Sequence, residues 1–169
     1  MISVVLLGFG LALAQGPQSA PMTFFIASNG SGEGADLGGI AGADALCQRL
    51  AAEVGAGDRA WRAYLSTQGP DAVNARDRIG TGPWYNANGQ LIAMNVADLH
   101  GDFEHGRTNV RKQSAVDGNG SVVNGAGDQP SQHDILTGSN SHGRALIGVR
   151  SQVTTCSNWT SNDDGSAMI

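Results

Sequence analysis

The pattern of apolar and polar residues changes from strand-like to helix-like early in the chain. Residues 22–28 form an apolar, β-favouring run that the turn-forming pair Asn29-Gly30 ends, which predicts a first strand. Further on, apolar residues recur at helical spacing, at Ile40, Ala43, Leu46, Cys47, Leu50, Ala51 and Val54. This spacing predicts one principal amphipathic helix over residues 40–54, with Cys47 on its core side and Gly55 or Gly57 ending it.

The segment after the predicted helix has the two-residue period of a strand. In residues 60–66, Trp61, Ala63 and Leu65 alternate with more polar side chains. Successive side chains of a strand point to opposite faces, so these three residues would share one face. The pattern therefore predicts a second strand with one buried side.

A β-hairpin is predicted in the middle of the chain, over residues 84–92. The pair Asn88-Gly89 separates two apolar dipeptides there, and both central residues of a type I′ turn need the positive φ that Asn and Gly tolerate best. The following stretch, 101–132, is polar and rich in glycine. Unstructured segments longer than about 15 residues are usually functional or mobile, so this loop is a candidate contact region.

Composition favours a single acidic domain that does not bind nucleic acid. The chain has 169 residues, 40% hydrophobic and 15% charged, which is enough for one domain with a core. Its 25 glycines indicate many turns, and the net charge is −5. Phosphate backbones are bound by clustered Lys and Arg, but the one local basic cluster, Arg107 with Arg111 and Lys112, is typical of a solvated loop.

The N-terminus has the features of a secretory signal. Residues 4–14 are an apolar run too short to span a bilayer, and Ala12-Leu13-Ala14 offers a cleavage pattern before Gln15. A buried first strand is the alternative. Cleavage would make the protein secreted, extracellular or periplasmic, and not embedded in a membrane. The predicted division is 1–14 as signal peptide, 15–22 as tether and 23–169 as the domain.

Several motifs, taken together, resemble the endostatin and C-type lectin-like family. They are Gly42-Ala43-Asp44 followed by Cys47, the segment 62–66, the loop 138–144, and Cys156 with Trp159. The resemblance implies an α+β fold of the C-type lectin-like kind, with a twisted antiparallel sheet, one principal helix and long irregular loops. It also implies binding of a glycan, a polysaccharide or an extracellular protein, without catalysis.

The resemblance also leads to an expectation about the cysteines. Family members continue beyond the position of Ile169 with a loop cysteine and a final strand that carries the last cysteine. By this comparison the last strand is missing, and the chain should be marginally folded and bind glycans weakly or not at all. Because the family pairs its cysteines in a nested order, both Cys47 and Cys156 would be free. Cysteine counting alone instead predicts one disulfide in an exported protein.

The candidate ligand residues lie in the polar loops. They are Asp128, Asn158, Trp159, Asn162, Asp163 and Asp164. The last five fall where sugar-binding C-type lectins place a calcium-ligating strand, although the order of residues differs. Trp159 could stack on a sugar, but a tryptophan beside a cysteine of the disulfide type usually packs in the core.

The sequence gives weaker evidence for a metal site or a catalytic site than for a binding site. Oxygen-rich segments at 29–44 and 158–164 could serve calcium, and solvated turns are the alternative interpretation, so no cofactor is predicted. The histidines lack zinc-binding spacing; they are His100, His105, His133 and His142. An extracellular hydrolase would require Asp128, His133, Asp134 and His142 to converge. A structural or interaction protein would instead present a flat, apolar loop side.

Overall fold

The computed structural model describes residues 21–101, 110–146 and 154–163. The predicted signal peptide, most of the tether, His105 and Asp164 lie outside these residues. The elements follow in the order α1 (Gly39–Glu53), α2 (Ala75–Arg78), β1 (Trp84–Tyr85), β2 (Leu91–Ala93), α3 (Val96–His100) and α4 (Cys156–Trp159). This mixture of helices and a two-stranded antiparallel sheet is compatible with the predicted α+β class.

Helix α1 confirms the predicted principal helix to within one residue at each end. Its inner face buries Ala43, Leu50 and Ala51. The helix ends as predicted at Gly55, where φ is 78°. The N–H groups of Gly55 and Ala56 donate to the carbonyls of Ala52 and Ala51, which is the Schellman arrangement that satisfies the last carbonyls of a helix. None of the helices in the described residues has the length and apolar character needed to cross a membrane.

The predicted hairpin is present as β1 and β2, but its predicted turn type is wrong. Gly89 has a φ of 73°, and Asn88 does not share this conformation. The Gly89 N–H donates to the Asn86 carbonyl, and the Asn86 N–H donates to Gln90, which closes a three-residue loop. The Asn86 side chain explains the difference, because its Oδ1 accepts from the N–H groups of both Asn88 and Gln90.

The same turn occurs three times in the structure, over residues 86–90, 117–121 and 140–144. In each, the side-chain oxygen of the first residue accepts from the N–H groups two and four positions later. In each, the fourth residue is a glycine with φ of 73°, 84° or 69°. The flanking pairs are Tyr85 with Leu91, Val116 with Val122, and Ser139 with Ala145. We call these segments the first, second and third Asx-Gly turns.

The strand predicted over residues 22–28 is not formed. The N–H groups of Thr23 and Phe24 both donate to the carbonyl of Tyr85, whereas that of Ile26 donates to Val116. A strand needs a regular ladder to one neighbour. This segment instead changes partner from β1 to Val116, which flanks the second Asx-Gly turn, so it links the β1–β2 hairpin to that turn without becoming a strand.

The strand predicted over residues 60–66 is also wrong, although its buried side is partly as expected. Ala63 and Leu65 are buried, with Trp61 half-buried. The N–H groups of Trp61 and Ala63 are taken by side chains of α1, namely Gln48 Oε1 at 3.1 Å and Asp44 Oδ1 at 2.8 Å. Because helix side chains supply these acceptors, the segment has no β-ladder.

Two hydrophobic clusters hold these elements. The first joins α1, the segment 60–66 and α4, and contains Ala43, Ala63, Leu65, Cys156 and Trp159. The second lies under the hairpin and contains Trp84, Ile92 and Ala93, with Phe24, Ile79, Val96 and Leu99 packed against it. As predicted, Cys47 packs against the first cluster from α1.

Candidate functional site

The predicted ligand residues Asn158 and Trp159 are used by the fold itself. Trp159 is 0% exposed, which confirms that it packs in the core, and its Nε1–H donates to the Ser66 carbonyl at 2.8 Å. The Asn158 amide bonds both backbone groups of Gln68, accepting from the N–H at 2.8 Å and donating to the carbonyl at 3.0 Å. The Trp159 ring therefore has no exposed face for a sugar, and the Asn158 amide is already bonded.

The turn that carries these residues is left-handed. Cys156, Ser157, Asn158 and Trp159 have φ of 48°, 54°, 57° and 70°, although none is a glycine. The Trp159 N–H donates to the Thr155 carbonyl at 2.7 Å, so α4 is one hydrogen-bonded turn. This conformation costs about 1–2 kcal/mol per residue. The buried indole and the Asn158–Gln68 pairing offset that strain.

The two oxygen-rich segments lie against each other. A Cβ on Gly34 would come within 3.3 Å of the Asn162 Cβ, and the Leu37 N–H donates to the Trp159 carbonyl. Asn162 and Asp163 are exposed there. Across the described ranges, no group of three or more His, Cys, Asp or Glu side chains is placed to hold a metal ion. Asp44 is instead paired with two arginines, Arg62 at 3.3 Å and Arg78 at 2.8 Å.

Asp128 and the residues of the hydrolase alternative have other partners. Asp128 accepts from Lys112 Nζ at 2.6 Å and from the Gly125 N–H at 2.8 Å. The hydrogen bond from Lys112, followed by that from Gly125, lowers the pKa of Asp128. His133 Nδ1 lies 2.6 Å from Asp134, its neighbour in sequence. The carbonyl of His142 accepts from Arg76.

A hydrogen-bonded pair of the half-buried Tyr64 and the buried His100 lies under the third Asx-Gly turn. His100 is 2% exposed, and its Nδ1 lies 2.6 Å from the Val96 carbonyl. A carbonyl only accepts, so Nδ1 carries the proton and Nε2 accepts from the Tyr64 hydroxyl at 2.7 Å. Burial raises the pKa of Tyr64 to about 12, against a smaller opposite effect of Arg76. Gly143 packs directly on both polar atoms, which closes the pair inside the fold.

Both cysteines are free thiols, as the family resemblance implied. Cys156 is 1% exposed and Cys47 is half-buried. Burial, followed by the charge of Asp44, raises the pKa of Cys47 to about 11, although Arg78 opposes this. The thiolate is the reactive form, so Cys47 is protonated and poorly reactive at neutral pH.

Two open clefts lie on either side of Arg59, which lines both. One has a volume of about 360 Å³ and is lined by Thr23, Arg59, Trp61, Thr81, Pro83 and Trp84, among others. We call it the Arg59 cleft. The other has a volume of about 350 Å³ and includes Met22, Asp58, Arg59, Ala87 and Gly118. Both volumes fall within the range of small-ligand sites.

Two side chains position the walls of the Arg59 cleft. Gln48 of α1 donates to the Gly57 carbonyl at 3.0 Å and accepts from the Trp61 N–H at 3.1 Å, so it holds both ends of the loop that carries Arg59. The Thr23 hydroxyl donates to the Pro83 carbonyl at 3.2 Å and accepts from the Tyr85 N–H at 2.8 Å. The loop and the opposite wall are therefore tied to the helix and to the hairpin.

The residues lining this cleft include three with side-chain donors, Arg59, Thr81 and Trp84. Within the described residues, the guanidinium of Arg59, the hydroxyl of Thr81 and the indole N–H of Trp84 have no partner. None of the described residues lining the cleft carries a carboxylate. The Trp61 indole is fixed by its hydrogen bond to the Ala56 carbonyl at 2.8 Å and by an edge contact with Phe25. The cleft can thus accept a ligand rich in hydrogen-bond acceptors.

Sequence reasoning did not single out Arg59, Thr81 or Trp84 as ligand residues. The weak signal was the helix stop at Gly55, which places a short polar loop directly before Trp61. Comparison with models of protein families, with curated proteins and with solved structures finds no match for this chain.

Proposed function

We propose that this chain is an extracellular, non-catalytic binding module of the endostatin-like or C-type lectin-like kind, and that it recognises a glycan in the Arg59 cleft. The observation that carries the proposal is a cleft of about 360 Å³ lined by Arg59, Thr81 and the indole of Trp61, which is fixed by its hydrogen bond to Ala56. The helix α1 packed against the Cys156–Trp159 turn supports the fold assignment, since both belong to the motifs that carry the resemblance.

A sugar suits this cleft because it combines hydroxyl acceptors with an apolar ring face. The exposed Arg59 and Thr81 can donate to ring and hydroxyl oxygens, and the half-buried Trp61 offers a rigid apolar wall. The previously considered loop residues are less suited, because Trp159 is buried and Asn158 is bonded to the backbone. This reasoning moves the proposed contact surface from the long-loop side to the Arg59 cleft.

The three tryptophans allow a direct test by nuclear magnetic resonance. In a titration of the full chain with a glycan panel, we expect the indole N–H signals of Trp61 and Trp84 to shift. The signal of Trp159 should stay in place, since that indole is 0% exposed and bonded to Ser66. Shifts confined to Asn162 and Asp163, or no shift with any glycan, would refute this function.

A further inference from the structure

Four asparagine–glycine pairs occur in the chain, and all of them lie within the described residues. They are Asn29-Gly30, Asn88-Gly89, Asn119-Gly120 and Asn124-Gly125. Such a pair is prone to spontaneous deamidation, because glycine has no Cβ to obstruct the attack of its backbone nitrogen on the asparagine side chain. That nitrogen must be free to attack, so the surroundings of each glycine N–H decide which pair reacts.

Three of the four glycine N–H groups are held by hydrogen bonds, namely those of Gly89, Gly120 and Gly125. Their acceptors are the carbonyls of Asn86 and Asp117 and the carboxylate of Asp128, at 2.9, 3.0 and 2.8 Å. The first two bonds belong to the first and second Asx-Gly turns, in which these glycines have φ of 73° and 84°. Reaction at any of the three pairs therefore requires a hydrogen bond to break and the local structure to open.

Two of the asparagine side chains in these pairs are fixed as well. The Asn88 amide donates to the Gly120 carbonyl at 3.0 Å, and the Asn124 amide donates to the Pro130 carbonyl at 3.0 Å. Each of these side chains would have to leave its acceptor before its Cγ could turn towards the next backbone nitrogen. The fold thus protects Asn88 and Asn124 twice.

The pair Asn29-Gly30 lacks these constraints. Both residues are exposed, and neither the Gly30 N–H nor the Asn29 amide forms a hydrogen bond within the part of the chain that the structure describes. A Cβ on Gly30 would meet open space. Hydrogen-bonded residues lie on either side, at the Ile26 N–H and at the Ser31 hydroxyl. The pair is therefore an unbonded link between two fixed segments, and the Asn29 side chain can rotate towards the Gly30 nitrogen.

We infer that Asn29 is the site at which this protein deamidates, and that the fold protects the other three pairs. The Gly30 nitrogen gives its proton to solvent and attacks the Asn29 Cγ. The Cγ–Nδ2 bond breaks, and the amide nitrogen leaves as ammonia after taking a proton from water. Water then opens the cyclic succinimide at either carbonyl, which leaves an aspartate or an isoaspartate at position 29. Folded molecules thus gain one negative charge with age, in addition to the net charge of −5.

The test follows the four pairs in the full chain during incubation at mildly alkaline pH, where the backbone nitrogen loses its proton more readily. Peptide mass spectrometry measures each rate, because replacing NH₂ by OH raises the mass of the peptide that has reacted. We expect Asn29 to react about tenfold or more faster than Asn88, Asn119 or Asn124. Breaking one hydrogen bond and opening a turn costs a free energy on the order of a tenfold change in rate.

Two controls separate the effect of the fold from that of the neighbouring residues. In urea the same four pairs lose their hydrogen bonds, so their rates should come close together. The variant Asp128→Ala removes the acceptor of the Gly125 N–H. It should raise the rate at Asn124 severalfold and leave the rate at Asn29 unchanged.

Three results would overturn the inference. Equal rates at the four pairs of the folded chain, or a faster reaction at any pair other than Asn29-Gly30, would show that hydrogen bonding of the glycine N–H does not select the site. The same preference for Asn29 in urea would show that the neighbouring residues set it and the fold does not. An unchanged rate at Asn124 in Asp128→Ala would remove the protective role of the Gly125 hydrogen bond.

Discussion

At the scale of single residues, the environment of a glycine decides what a substitution costs. Gly55 and Gly143 both have positive φ, at 78° and 69°. A Cβ on Gly55 would meet open space, whereas one on Gly143 would collide with the Tyr64 hydroxyl and the His100 ring. The two positions therefore separate backbone strain from steric overlap.

We predict that Gly143→Ala destabilises the protein much more than Gly55→Ala. The left-handed conformation alone should cost about 1 kcal/mol in Gly55→Ala. Gly143→Ala adds the displacement of a buried hydrogen-bonded pair, for a total of about 3 kcal/mol or more. Urea unfolding followed by fluorescence measures both. Equal losses in the two variants would show that Gly143 does not pack on the Tyr64–His100 pair as described.

Single residues also explain why the ligand site predicted at Asn158 and Trp159 is not the one proposed from the structure. Asn158 and Trp159 are polar or aromatic residues in a loop, which makes them ligand candidates by sequence. Their side chains instead bond the backbone of Gln68 and Ser66, about ninety residues earlier, as the separations of 90 and 93 positions show. Polar groups that hydrogen-bond buried backbone groups are needed by the fold, so they are not free to bind a ligand.

At the scale of elements, the three Asx-Gly turns connect parts of the fold that have only short strands or single residue pairs. Each closes a hairpin with a pair of flanking residues. The first two are linked, because the Asn88 amide donates to the Gly120 carbonyl at 3.0 Å and the Asn86 amide donates to Ser114 at 3.1 Å. The third is tied to α2, since the Arg76 N–H donates to the Gly143 carbonyl. Turn chemistry thus sets the positions of the short elements.

The shared geometry predicts which substitutions the turns tolerate. Asp117 holds the place that Asn86 and Asn140 hold in the other two turns, and it accepts from the N–H groups of Asn119 and Ser121. We expect Asp117→Ala to cost about 1–2 kcal/mol because both bonds are lost. Asp117→Asn keeps an oxygen acceptor and should stay within about 0.5 kcal/mol. Chemical denaturation of both variants is the measurement, and an Asn variant as unstable as the Ala variant would contradict it.

At the scale of the whole molecule, the two hydrophobic clusters divide the structure into a helix side and a hairpin side. The helix side contains both cysteines and Trp159, and the hairpin side contains Trp84. The Arg59 cleft is lined by Trp84 and Ile79 of the hairpin side and by Arg59 and Trp61 of the loop that Gln48 ties to α1. The proposed ligand site therefore depends on how the two sides are held together.

Stability at high pH should reflect the half-buried Tyr64. Its pKa rises from 10 to about 12 on folding, so the folded state keeps a proton that the unfolded state loses. The stability contribution of Tyr64 is then fully present below pH 10 and is lost as pH rises through 12. Cys47 acts in the same direction between about 9 and 11.

We predict that Tyr64→Phe flattens the alkaline fall in stability. Melting temperatures measured from pH 9 to 12 should fall less steeply in Tyr64→Phe than in the original chain, and Cys47→Ser serves as the control for the lower part of that range. If melting temperature fell equally steeply in the original chain and in Tyr64→Phe, burial would not raise the pKa of Tyr64 as described.

The sequence by itself determined the features whose causes are local. The apolar spacing from Ile40 to Val54 and the stop at Gly55 were sufficient to predict α1, because helical periodicity and glycine capping act within a few residues. The Asn-Gly pair between apolar dipeptides was sufficient to predict the hairpin. The burial of Trp159 followed from residue type.

The tertiary structure decided what depends on distant partners. Residues 60–66 have the period of a strand, but Gln48 and Asp44 of α1 supply the acceptors for their N–H groups, and no local pattern encodes that choice. The left-handed turn at Cys156 contains no glycine, so the burial of Trp159 and the hydrogen bonds from Asn158 to the distant Gln68 maintain it. Arg59 is a ligand candidate because it lines a cleft and takes part in none of the ion pairs that the described residues form. These contacts depend on which residues come close in three dimensions, and the order of residues along the chain does not show that.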